Sequence, residues 1–123
     1  MNSGPHAAGR RQPLNVYYTV DVEVWCDGWS DIDAKFPSCF RQYIDGATPA
    51  GDFGVGFQAR TLKEHGLRGT FFVEPLFSLR FGQAWLDEVV SQVLTHDQDL
   101  QLHLHTEWVD EARDPPLAIH GGT

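Results

Sequence analysis

Five residues of this 123-residue chain have types and spacings that could do chemistry together: Asp21 and Glu23 in one run, and His103, His105 and Glu107 in another. The first run, NVYYTVDVEVW from Asn15 to Trp25, is β-prone, and alternate side chains of a strand point to opposite faces. Asp21 and Glu23 therefore share a face with Thr19 and Tyr17, while Val20, Val22 and Val24 turn the other way. Two like charges side by side on a strand repel, so the pair needs a compensating partner or a wet strand end. The second run, LQLHLHTEW from Leu100 to Trp108, alternates in the same manner. It puts Gln101, His103 and His105 on one face and Leu102 and Leu104 on the other, with Glu107 following where the chain leaves the strand.

Two imidazoles with neighbouring carboxylates supply the nitrogen and oxygen donors of a divalent metal site. A catalytic site of that kind uses three protein ligands and keeps a position open for water, and a further carboxylate can take that water's proton. Each residue also has an ordinary reading: a single strand histidine is commonly a core or surface group, and an acidic strand face is commonly just wet. The joint placement on two strands is what favours a metal. His6, His65, His96 and His120 fall in a leader, two helix ends and the tail, where no ligand role is expected.

Those two strands must be held near each other by what lies between them. Cys26 to Phe53 is rich in Gly, Pro, Asp and Ser, with Trp29, Phe36, Phe40 and Tyr43 scattered through it. This composition predicts a long ordered connection rather than a regular element. Gly54 to Gly69 predicts a helix that stops at Gly66, with His65 in its last turn. Leu67 to Pro75 predicts a buried strand ended by proline. Gly82 to Asp99 carries Trp85, Leu86, Val89, Val90, Val93 and Leu94 at helical spacing. The order strand, connection, helix, strand, helix, strand implies an α/β fold with parallel pairing and right-handed crossovers. Reactive groups in such folds gather at the carboxyl ends of the strands.

Composition sets bounds. Seventeen acidic against nine basic residues give a formal net charge of −8, which argues against nucleic acid and anionic membrane surfaces as partners. No apolar run reaches the ~20 residues of a membrane span. Residues 1–14 read as a disordered leader without the apolar core of a signal peptide, so a cytoplasmic location is expected. Cys26 and Cys39 are then expected to stay reduced.

Three stretches, TVDVEVW, LKEHGLRGTFFVEPLF and QLHLHTEW, resemble polysaccharide deacetylases of the NodB-homology type, in the subgroup whose first motif reads TVDVE rather than TFDDG. The likeness runs from Asn15 to about Trp108. It implies a distorted (β/α) barrel and a hydrolase acting on carbon–nitrogen bonds other than peptide bonds, one that removes acetyl groups from a carbohydrate with a bound divalent metal, often zinc. It implies Asp21 as general base. The second aspartate of the commoner motif falls on Val22, so the ligand role passes to Glu23. The family's metal-binding histidines lie four residues apart; His103 matches the first, and the second position holds Glu107. Spacing favours Glu107 as the further ligand, with His105 as the alternative.

The later family motifs, an Arg-containing strand, an acidic motif and a late general-acid histidine, have no counterpart after Trp108. Residues 15–123 are accordingly expected to form the N-terminal part of such a domain, a partial barrel whose last strand offers an open edge for self-association. Two other readings stand beside the truncated deacetylase: an inactive fragment or metal-binding relative that needs a second chain, and a hydrolase of carbon–nitrogen bonds in small amides.

Overall fold

Short runs of valine and phenylalanine build a small parallel sheet, with helices laid on one of its faces. The computed structural model describes residues 11–111. Along the chain the elements are β1 (Thr19–Val22), α1 (Ile32–Phe40) running into a π-helical turn (Arg41–Asp45), β2 (Ala47–Thr48) and β3 (Gly51–Asp52). There follow α2 (Val55–Glu64), β4 (Thr70–Val73), α3 (Ser78–Phe81), α4 (Gln83–Leu94), β5 (Asp99–Leu102) and α5 (Glu107–Asp110). The sheet order is β1-β4-β5, all parallel.

The register decides where chemistry can occur. Val22 pairs with Val73 and Val73 with Leu102, so the three strands end flush. The ladder continues one bond further on each side of β4: Glu74 N–H donates to the Val22 carbonyl (2.9 Å) and His103 N–H to the Val73 carbonyl (3.0 Å). Glu23, Glu74 and His103 thus form the next row, at the carboxyl edge of the sheet.

One sheet face is the core face. Val22, Phe71 and Val73 are buried there in one cluster with Val55, Ala59 and Leu62 of α2 and Val89 and Val93 of α4. On the other face Asp21 and Gln101 remain exposed. An aromatic cluster extends the core: Phe36 stacks on Phe81 with centroids 3.7 Å apart and meets Trp85 edge-on at 5.2 Å, while Phe40 meets Trp85 at 4.7 Å.

Three expectations need correction. The partial distorted (β/α) barrel is not formed. The fold is an open α/β arrangement of one three-stranded parallel sheet and a separate two-stranded antiparallel sheet, β2 with β3. Closing a barrel takes about eight tilted strands in continuous register; three flush strands leave β1 and β5 as edges among the described residues. An unpaired edge is a template for pairing with another chain.

The segment from Cys26 to Phe53 is not a plain connection, because it contains α1, the π-helical turn and the β2–β3 hairpin. Ile32, Phe36, Phe40 and Ile44 recur every four residues and are all buried, which makes one apolar helix face. Pro37 inside α1 and the abundance of turn formers obscure that period. Gly54 is required where this segment joins α2: its N–H donates to the Asp45 carbonyl at 2.9 Å, and a Cβ there would collide with the Ile44 carbonyl oxygen.

Finally, β5 ends at Leu102, well short of Trp108, which belongs to α5. Helix α2 closes with Gly66 at φ 67° and the Leu67 N–H bonded back to the Leu62 carbonyl at 2.8 Å, a left-handed cap that glycine adopts without strain. The expected leader up to Arg10, with His6, and the tail from Ala112, with His120, lie outside the described residues.

Candidate metal centre

Glu23 follows β1 by one residue and His103 follows β5 by one, so the sheet register brings their side chains to one edge. Past β5 the chain runs without regular structure from His103 to His105. Leu102 and Leu104 turn to solvent, 64% and 51% exposed, and His103 and His105 turn inward together. Nε2 of His103 lies 3.3 Å from Glu23 Oε2, Nε2 of His105 lies 2.5 Å from the same oxygen, and the two Nε2 atoms are 3.0 Å apart.

Three lone-pair atoms converge on one point. Glu23 Oε2 is buried and accepts no hydrogen bond of acceptable geometry, although both histidines crowd it. Two facing imidazole nitrogens can share at most one proton in the neutral state, so a cation is the natural neutraliser. Ligands bound tetrahedrally to zinc at 2.0–2.1 Å stand ~3.3 Å from one another. Two of the three edges here approach that value and the third is shorter. Glu23, His103 and His105 therefore fit a divalent ion, with all donor atoms within 4.8 Å of each other.

Glu107, which spacing favoured as a ligand, stands behind His105 instead: its Oε2 is 3.8 Å from His105 Nδ1, and its side chain is largely exposed. At that distance it makes no hydrogen bond to the ring, and it stands where carboxylates behind metal-binding histidines are found. Trp25 packs edge-on against the His105 ring at 4.9 Å. Asp21 is exposed on β1, two residues before Glu23 and on the same strand face.

Glu74 has a role that the sequence reading did not assign. It is fully buried, and its carboxylate accepts from the N–H groups of Leu76 (2.9 Å) and Phe77 (3.3 Å), with a long contact to the His105 N–H (3.5 Å). It clamps the turn after β4 to the segment carrying the second histidine. A lone carboxylate ending an apolar strand, as in TFFVEP, was the available signal.

Burial pushes the Glu74 carboxyl above its ordinary value of 4.5, against the opposing pull of those N–H donors. The unfolded chain therefore releases this proton at lower pH than the folded chain, and across that window folded protein holds more protons. Stability contributed by this group is complete below 4.5 and declines as pH rises through the window. Glu74→Gln is expected to lack this decline, so urea unfolding of both proteins across the window should show their stabilities diverging and then running parallel. Parallel curves throughout would mean that Glu74 keeps an ordinary titration.

Cys26 and Cys39 are both free thiols. Burial first, then the hydrogen bond with Cys39, pushes the Cys26 thiol up to about 12, so at neutral pH it stays protonated and is a poor nucleophile.

The fold and site together define an α/β domain with a Glu/His/His cluster able to coordinate a divalent metal ion. No helix among the described residues is long and apolar enough to cross a membrane. Comparison of the chain with family models, curated proteins and solved structures finds no match.

Proposed function

We propose that this protein is a metal-dependent hydrolase that removes acetyl groups from a carbohydrate, in the manner of the deacetylases whose TVDVE motif Thr19–Glu23 resembles. The observation that carries the reading is the convergence of Glu23 Oε2 with Nε2 of His103 and of His105 at the carboxyl edge of a parallel sheet. Glu23, His103 and His105 would hold the ion, with zinc suited to one oxygen and two nitrogen donors. When bound, the ion supplies Lewis acidity and lowers the pKa of water.

The remaining steps belong to the chain's own residues. Asp21, exposed on the same strand face and about 6.6 Å of strand rise from Glu23, accepts the proton of the attacking water. Glu107, 3.8 Å from His105 Nδ1, places a negative charge behind the ring whose Nε2 faces Glu23. Trp25 limits rotation of the same ring.

The test is acetate release from an N-acetylated chito-oligosaccharide by the zinc-loaded chain. Asp21→Asn is expected to retain one zinc per chain and to lose about 10²–10⁴-fold in rate, the usual worth of a positioned base. A wild-type chain that binds zinc stoichiometrically yet releases no acetate would reject the deacetylase reading and leave a metal-binding domain.

A further inference from the structure

Two thiols stand outside the chemistry of the metal centre, and they meet. Cys26 follows β1 and is buried, 5% exposed, among the residues that line a cleft with Trp25, Trp29 and Trp108. Cys39 lies in the last turn of α1, half-buried and packed against the apolar cluster to which Cys26 belongs. Both are free thiols, and their side chains are hydrogen-bonded to each other. Lys35, one turn before Cys39 on α1, is near enough for its charge to favour a thiolate at Cys26.

The chain between the two cysteines is conformationally costly. Asp27, Gly28 and Asp31 hold positive φ angles of 54°, 96° and 53°. Such angles are uncommon outside glycine, and they persist where the surroundings hold them. Cys26 immediately precedes this bend, and α1, which carries Cys39, begins at Ile32 immediately after it. The thiol contact therefore brackets the bend from both sides.

We propose that Cys26 and Cys39 are a thiol–disulfide switch, whose oxidised form clamps the bend of Asp27–Asp31 between β1 and α1. The co-reactant is a low-molecular-weight disulfide. The more accessible Cys39 sulfur, as thiolate, attacks one sulfur of that disulfide and releases one thiolate, leaving a mixed disulfide on Cys39. Cys39 then no longer raises the Cys26 thiol through its hydrogen bond and charge. Cys26 gives its proton to solvent, its sulfur attacks that of Cys39, and the second thiolate leaves. Two protein thiols are oxidised to one disulfide, and the reagent disulfide is reduced to two thiols.

Closing the loop of residues 26–39 restricts the unfolded chain and favours folding by about a hundredfold. By linkage the disulfide forms more readily in the folded chain than in the unfolded one by the same factor.

The experiment equilibrates the full, metal-stripped chain with mixtures of reduced and oxidised glutathione, in buffer and in urea. Acid quenching, alkylation and intact mass then count free thiols, protein disulfides and glutathione adducts. The folded chain should pass to one intramolecular disulfide, with an equilibrium constant about a hundredfold above that in urea. Amide exchange at Asp27–Asp31 should slow in the oxidised chain. Cys26→Ser should stop at a glutathione adduct on Cys39, whereas Cys39→Ser should leave Cys26 unmodified while folded. Persistent adducts on the folded wild-type chain, disulfides only between chains, a native constant no larger than that in urea, or exchange unchanged by oxidation overturns the assignment. Should a serine variant fail to fold, the two wild-type constants and the exchange rates decide.

Discussion

Replacing His103 with alanine is expected to remove stoichiometric zinc binding. Its Nε2 is 3.3 Å from Glu23 Oε2 and 3.0 Å from Nε2 of His105, so its loss takes away one of three donors and leaves two that cannot close around an ion. Substituting a residue that merely orients a ligand costs about 10–100-fold in metal affinity; removing a ligand itself should exceed that range. The effect is readable as stability. Zinc at a hundredfold excess over its dissociation constant adds about 2.7 kcal/mol to the unfolding free energy of the wild-type chain. With affinity lowered a hundredfold, the same zinc concentration adds only about 0.4 kcal/mol. Glu23→Ala should behave alike, since Glu23 Oε2 is the atom both histidines face. Glu107→Gln, which alters only the group behind His105, should keep one zinc per chain at reduced affinity. Calorimetric titration of the three variants separates these outcomes, and full stoichiometry at unchanged affinity in His103→Ala would refute the site.

The second large effect is on stability. Phe36 is fully buried and touches four rings, those of Phe40, Phe77, Phe81 and Trp85. Phe36→Ala removes the ring from the middle of that stack. The lost burial and the cavity together cost about 3–5 kcal/mol. Domains of this size have about 5–15 kcal/mol in total, so the variant should unfold at far lower urea or not fold at all. Tyr43, on the same segment, is 48% exposed. Tyr43→Ala should fall within about 0.5 kcal/mol of wild type, as surface changes do. Similar urea midpoints for the two variants would mean that α1 does not pack as described.

The contrast between these two aromatics marks where the sequence was legible. Both lie in a stretch whose Gly, Pro, Asp and Ser content reads as a connection. The four-residue spacing of Ile32, Phe36, Phe40 and Ile44 is present in the sequence, but Pro37 and the π-helical turn interrupt the helical signals that would single it out. Elsewhere the local pattern sufficed. The alternation of Val20, Val22 and Val24 with Asp21 and Glu23 is the alternation of buried and more open faces seen in and just beyond β1. The periodic runs at Val55–Glu64 and Gln83–Leu94 are helices, and the strands between them pair in parallel.

What the sequence by itself determined, then, was the type and order of most elements and the faces their side chains occupy, because period and propensity act over a few residues. Whether the sheet closed or stayed open was decided only in three dimensions, since closure depends on strand number, tilt and register across the whole sheet. The same holds for which nitrogen or oxygen meets Glu23. His105 does so and Glu107 stands behind it, because β5 stops at Leu102 and the chain runs without regular structure through His105 before it turns into α5. Glu74 was equally hidden: its buried carboxyl is met by the N–H groups of Leu76 and Phe77 with a long contact to that of His105, and only the tertiary fold brings those two segments together.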